Sequence, residues 1–210
     1  MPPLNEANRL IRSQNVTASE VAALMPTGHP YASPTSIYDR LTKGASEKSS
    51  EAMRIGSHME GAILRFAEAE YGFRARANSR SYVHPKVRLA ATPDAFALTR
   101  LPWALVPERA LIEVKMSGRP ELWRDVPDYI DWQCRAQLAV TNRDVVYIVV
   151  LAAMRLLSFP VYRDADKETA LLAAVQQFWT DHMVAGVRPE PTASVPVMTF
   201  SFDAEKEAIA

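Results

Sequence analysis

The chain has 210 residues, 48% of them hydrophobic and 23% charged, and its 24 basic and 24 acidic side chains cancel to a formal net charge of zero. These proportions belong to a globular protein, exclude collagen-like and disordered chains, and suit one domain. They also exclude any argument from total charge for a nucleic-acid partner, and no apolar run approaches the ~18 residues that a membrane span needs.

Along the chain, the N-terminal third reads as short helices. Thr17-Ala18-Ser19-Glu20 has the capping-box form, with Thr17 as N-cap and Glu20 at N3, and the helix it opens should stop by Pro26. Ser33-Pro34 starts a second helix that Gly44 closes. From Glu51 to Tyr71, Ile55, Met59, Ile63, Phe66 and Ala67 recur at three- and four-residue spacing and predict a longer amphipathic helix. The middle turns to strands, at Ser81 to His84, Val87 to Ala91, Asp94 to Leu98 and Ala110 to Lys115, with a Pro-containing loop from Thr99 to Arg109. Tyr129 to Val140 is helical, Val145 to Ala152 and Leu156 to Tyr162 are strands, and a last helix runs from about Asp166 to Val184. The expected organisation is a single domain, with a helical segment over 1–50, a core over 51–190 and an irregular tail over 191–210. Cys134 is the one cysteine, which excludes an internal disulfide and fits a reducing compartment. Asn5, Glu6, Arg9 and Arg12 occupy the place of a signal peptide's apolar centre, so the expected location is cytoplasmic.

The chemistry concentrates at three residues. In Leu111-Ile112-Glu113-Val114-Lys115 the strand period of two sends Glu113 and Lys115 to one face, read as the open side, and Ile112 and Val114 to the core. At strand rise the two charged groups stand roughly 6 to 7 Å apart, near enough to share a substrate but not to touch. Such a strand is also a common surface strand. Asp94 follows the turn-like Ala91-Thr92-Pro93 and is the first acid after a long acid-free stretch. One Asp and one Glu are hard oxygen ligands that suit Mg²⁺, and with a lysine they form a set able to hydrolyse a phosphodiester. The acid-free stretch carries Arg74, Arg76, Arg80, Lys86 and Arg88, either a stripe facing phosphates or a solvated strand pair.

Other chemistries find no support. His29, His58, His84 and His182 are scattered, so no zinc constellation can be argued. Cys134, between Gln133 and Arg135 on a helix, reads as a buried small hydrophobe, and no Gly-rich phosphate loop is present. Trp123, Trp132 and Trp179 are core residues or base-stacking surfaces.

Glu60 on a helix, Thr92-Pro93-Asp94, Ile112-Glu113-Val114-Lys115 and a helix bearing Gln133 follow one another in the order of the PD-(D/E)XK nucleases. More narrowly, the chain resembles the phage lambda-type alkaline exonucleases and their YqaJ-like relatives, from about Arg12 to Pro189. Thr17-Ala18-Ser19-Glu20 and Gln137-Leu138-Ala139-Val140-Thr141 match further family segments. The resemblance implies an α/β fold, a mixed central sheet flanked by helices of restriction-endonuclease type. It implies that Asp94, Glu113 and the Val114 carbonyl ligate Mg²⁺, as one of two ions with Mn²⁺ able to substitute. Glu60 supports a metal, Lys115 aids the nucleophile, and Gln133 orients groups at the scissile phosphate. Read alone, Glu60 is equally a plain helix-surface acid, and Gln133 and Gln137 are equally polar trim at i, i+4.

The implied activity is 5′ to 3′ exonuclease digestion of linear duplex DNA, leaving a 3′ overhang for single-strand-annealing recombination. The implied partners are duplex ends, two further copies in a trimeric ring and an annealing protein, with no membrane, in a bacterial host and of phage origin. A structure-specific or restriction-type endonuclease on the same fold and a DNA-binding loading module are the alternatives. Two departures stand out: Glu113 follows Asp94 by nineteen positions, and Arg135 lies where relatives carry a second glutamine. Ser19, at the second position of the helix that Thr17 caps, offers an anion site at a helix N-terminus. A chain reversal would bring Arg12 to the same anion, and the resemblance places a 5′-phosphate pocket at a matching Arg and Ser.

Overall fold

Residues 6–44, 50–99 and 109–191 are described by the computed structural model. Most of the Thr99 to Arg109 loop, and the tail beyond 191, lie outside them. In chain order the elements are α1 (Glu6–Ser13), β1 (Val16–Thr17), a 3₁₀ turn (Val21–Leu24), α2 (Pro34–Lys43), α3 (Glu51–Tyr71), β2 (Ala75–Ala77), β3 (Tyr82–Val83), β4 (Leu89–Ala91), β5 (Ala95–Ala97), β6 (Ala110–Ser117), a 3₁₀ turn (Pro120–Trp123), α4 (Asp128–Thr141), β7 (Val145–Ala152), β8 (Arg155–Tyr162) and α5 (Ala165–Phe178), which continues as a π-helix over Trp179–Val184.

The expected α/β architecture holds, but the sheet divides in two. The larger has the order β2-β5-β6-β7-β8 and the smaller β1-β4-β3. In the larger, β6 and β7 are parallel through eight residue pairs and β7 and β8 antiparallel through eight more. A parallel pair needs a crossover, and α4 supplies it. Each face of this sheet is covered. Ile63, Leu64 and Ala67 of α3 pack with Ile112, Val114, Tyr147 and Val149 on one side, while Ile130, Cys134 and Leu138 of α4 pack with Leu111, Val146, Ile148 and Val150 on the other. Ile112, Tyr147 and Val149 are wholly buried, and each such side chain contributes about 1.5–3 kcal/mol by leaving water. Burial on both faces is why β7 is an uninterrupted apolar run and not an alternating one.

The smaller sheet was not legible as such. β1 is two residues long and sits where the sequence predicts the start of a helix, because Val16 and Thr17 pair parallel with Leu89 and Ala90. The helix expected from Thr17 to Pro26 reduces to the 3₁₀ turn. Half of the capping box survives, since the Thr17 N–H donates to Glu20 Oε1 at 2.9 Å, but the Thr17 hydroxyl pairs with Ser19 Oγ at 3.1 Å and caps nothing. The second helix begins as expected, with Ser33 and Ser36 in a reciprocal capping box and Pro34 in the first turn. β4 runs through Thr92-Pro93-Asp94 into β5, so one short segment joins the two sheets. Among the described residues no helix is long and apolar enough to cross a membrane.

Candidate active site

The register of the larger sheet sets two acids side by side. β5 pairs antiparallel with β6, Ala95 opposite Ile112, and one further step places Asp94 opposite Glu113. Asp94 Oδ2 accepts the Val114 N–H at 2.7 Å. The turn carrying Asp94 is held from the segment between β2 and β3: the Asn78 N–H donates to the Asp94 carbonyl, the Asn78 amide donates to the Pro93 carbonyl, both at 2.8 Å, and Ser81 Oγ pairs with Thr92 Oγ1 at 2.8 Å.

Glu113 is 2% exposed. The expectation that it lies on an open face is therefore corrected: α4 crosses that face and covers the carboxylate with two glutamines. Gln137 Nε2 donates to Glu113 Oε2 at 2.6 Å, and Gln133 Nε2 donates to Glu113 Oε1. The expected gap between Glu113 and Lys115 is corrected too, because their side chains converge and Lys115 Nζ donates to Glu113 Oε1 at 2.6 Å and to Gln133 Oε1 at 3.1 Å. A buried carboxylate keeps its charge only if it is paired and hydrogen-bonded, and these three donors do so.

The electrostatics follow from crowding. Burial, reinforced by the Glu113 and Glu60 charges, pushes the Asp94 carboxyl well above the usual carboxylate range. Glu60, on α3, is also raised, by burial and by Glu113. Burial pulls the Lys115 ammonium down, but Glu113 and Asp94 outweigh it and leave its pKa above the ordinary lysine value. Three carboxylates thus share one low-dielectric spot with the Lys115 ammonium.

That donor set fits a divalent cation. Among the described residues no three His, Cys, Asp or Glu side chains are grouped closely enough to hold a metal unaided; Mg²⁺ asks for less, one or two carboxylates with waters and substrate oxygens. Gln137 Oε1 is buried with no hydrogen-bond partner, an unfilled acceptor suited to a water on such an ion.

Beside this cluster lies a cavity lined by Arg12, Thr17, Ser19, Thr92, Gln133 and Gln137. The structure thus brings Arg12 and Ser19 together, and next to the glutamines that hold Glu113. The route differs from the one expected. Ser19 is exposed in the turn between β1 and the 3₁₀ helix, so no helix N-terminus addresses an anion there. Arg12, in the last turn of α1, is carried to the cavity by Arg40. The Arg40 guanidinium donates to the Arg12 carbonyl, to the Asn15 carbonyl at 2.9 Å, and to Glu20 in a close ion pair.

The sequence profile of the YqaJ-like viral recombinase domain matches residues 9–144. The chain belongs to this family, and with it is a nuclease. No curated protein matches. Among solved structures, an alkaline exonuclease from Laribacter hongkongensis (LHK-Exo) superposes with a TM-score of 0.67 at 19% identity, covering 87% of this chain and 94% of that one; its complex with dAMP gives 0.68 at 20%, with the same coverage. A phage-related exonuclease from Haemophilus somnus 129PT gives 0.60 at 12%, covering 82% and 96%. These likenesses establish the shared fold.

Within this YqaJ-like domain, Asp94, Glu113, Lys115 and Gln133 form one connected site and Glu60 lies within electrostatic reach of it. Val114 enters through its N–H. Gln137, for which the sequence alone leaves polar trim open, is 1% exposed and donates to Glu113; its signal is a second glutamine one turn after the first on an otherwise apolar face. Arg135, by contrast, points away and pairs with Asp131 at 2.7 Å and with the Tyr162 carbonyl, so the departure at that position leaves the site intact. Cys134 is wholly buried and burial raises its thiol pKa, as a small core residue requires. Trp123 is likewise core. Arg74, Arg76, Arg80, Lys86 and Arg88 are all exposed, with Arg88 over the Trp179 ring.

Proposed function

We propose that this chain is a Mg²⁺-dependent 5′ to 3′ exonuclease that digests one strand of linear duplex DNA and leaves a 3′ overhang for single-strand annealing. The observation that carries the reading is the adjacency of two units: the Asp94, Glu113 and Lys115 cluster, and the Arg12 and Ser19 cavity that shares Gln133 and Gln137 with it. The neighbours described as alkaline and phage-related exonucleases support the same reading, as does the dAMP complex of one of them.

Asp94, Glu113 and the Val114 carbonyl would hold the metal, with Glu60 in support, and the chemistry it would supply is Lewis-acid activation of the phosphate and of a water nucleophile. Lys115 offsets charge that develops on the phosphate. Gln133 orients Lys115 and Glu113, and Gln137 fixes the second Glu113 oxygen. Arg12 and Ser19 take the 5′-phosphate, so that the terminal nucleotide is the one presented to the acids. A homotrimeric ring around DNA, with the exposed arginines of the acid-free stretch inside it, and an annealing protein as partner complete the proposal, in the cytoplasm of a bacterial host of the phage.

Covalently closed circular DNA tests the reading. With Mg²⁺ the chain should release acid-soluble nucleotides from linear duplex, faster from 5′-phosphorylated than from 5′-hydroxyl ends, and leave circles intact; EDTA should stop it. Nicked circles would replace the exonuclease with an endonuclease, and untouched linear DNA would reduce the chain to a binding module.

A further inference from the structure

Three rings stand against one another beside Ser19. His29 and Tyr129 meet edge to face with centroids 5.1 Å apart, and Tyr31 lies edge-on 6.0 Å from His29 and 6.3 Å from Tyr129. They come from two elements that meet here. His29 and Tyr31 belong to the turn that precedes α2. Tyr129 lies in the first turn of α4, one turn before Gln133 and two before Gln137, on the same stripe of that helix.

The turn is built to hold its shape. Gly28 adopts the left-handed conformation, φ +68°, which only glycine takes without cost, and its N–H donates to the Met25 carbonyl at 2.9 Å. His29 and Ala32 form a bridge across the tip, and the Tyr31 N–H donates to His29 Nδ1 at 3.0 Å. Trp132 Nε1 donates to Thr27 Oγ1 at 3.1 Å, which ties the turn to α4. Burial lowers the His29 pKa, the Ser19 main chain opposes this, and burial raises the pKa of Tyr129. Both rings are therefore neutral near pH 7, and both lie within reach of the Lys115 charge.

Tyr31 is 73% exposed. A large aromatic left in water on a braced turn contributes little to the fold, whereas an open ring face suits a planar partner. We propose that Tyr31, braced by His29 and Tyr129, is a stacking platform for a nucleobase adjoining the scissile phosphate. The class of ligand is a base in general: every base has a π face, so stacking holds the strand without reading sequence, as end-digestion of arbitrary DNA demands. The inference rests on the nuclease reading above and goes beyond its metal and phosphate contacts.

The test is single-turnover release of the first nucleotide from 5′-phosphorylated duplexes, either intact or abasic at the first or second position, by wild type, Tyr31→Phe and Tyr31→Leu. Loss of one stacked base should weaken end engagement by about 5- to 150-fold. Wild type should lose that factor at one abasic position, Tyr31→Leu should lose it on the intact end and little more on the abasic one, and Tyr31→Phe should behave as wild type. A wild type that digests nothing defeats the nuclease reading itself. A wild type that digests, yet treats abasic and intact ends alike, overturns the platform alone. So does a Tyr31→Leu variant that equals wild type, one that is still slowed by the wild-type factor at the abasic end, or one whose only change is in oligomeric state.

Discussion

The larger sheet and the smaller one meet at Asp94 and are stabilised in different ways. β6, β7 and β8 are eight residues each, and β6 and β7 bury most of their apolar side chains, so their geometry rests on many contacts at once. β1, β3 and β4 are two or three residues long; Val16, Leu89 and Ala91 are buried in a core with α4 and α5, and polar ties hold the segments around them: Asn8 to Ser79 and Ser81, Asn78 to Pro93, and Arg40 to Arg12, Asn15 and Glu20. The proposed reaction centre sits on the first and the proposed end-binding cavity largely on the second. On this reading, chemistry that tolerates little displacement is mounted on the long strands, and recognition beside short strands that individual side chains tie in place.

The largest way to break this division is at Lys115. Since Glu113 is buried, Lys115→Ala leaves it short of its cation, and the metal-free variant should lose about 3–5 kcal/mol of stability by chemical denaturation. Its nucleotide release should fall about 10²- to 10³-fold, while Mg²⁺ restores part of the stability. A variant as stable as wild type in EDTA would show that α4 alone sustains the Glu113 charge.

Asp94 gives a pH signature. Its folded pKa lies above the unfolded value, so the folded state holds a proton that the unfolded state has released, and stability contributed below this window falls as pH rises through it. In EDTA the wild type should therefore lose thermal stability on going from pH 5 upward, Asp94→Asn should lose less, and only the wild type should be stabilised by Mg²⁺ more strongly at the higher pH, where fewer protons compete for the ligand. Parallel pH profiles for the two proteins would remove Asp94 from the metal site.

The smallest effect belongs to the other sheet. Arg40→Ala frees the end of α1, so it should reduce the preference for 5′-phosphorylated over 5′-hydroxyl ends and leave the Mg²⁺ concentration dependence of digestion unchanged. A changed Mg²⁺ dependence would mean that the two halves are mechanically one.

What the sequence disclosed follows the same division. β6, β7, α4 and α5 were legible because long periodic or continuous apolar runs admit few alternatives. Asp94, Glu113 and Lys115 stood out as a donor set in a familiar order. The covering of Glu113 did not, because strand alternation tells which face a residue takes and says nothing about what packs over that face. Thr17-Ala18-Ser19-Glu20 satisfies a local rule for a helix start at β1, and parallel pairing with a strand seventy-odd residues away overrides it. Arg40, Asn78 and Tyr31 carried no sequence signal, since each acts through partners distant in the chain.

The pairing of Asp94 with Glu113 has one more consequence. It is set by Ala95 and Phe96 against Ile112 and Leu111, all inward of the connection between Ala97 and Ala110, and that connection closes a hairpin whose register is already locked by the core. Its length is thus uncoupled from the spacing of the acids. A fluorophore, an affinity tag or a second binding module inserted between Ala97 and Ala110 should therefore leave the register of the two acids unchanged.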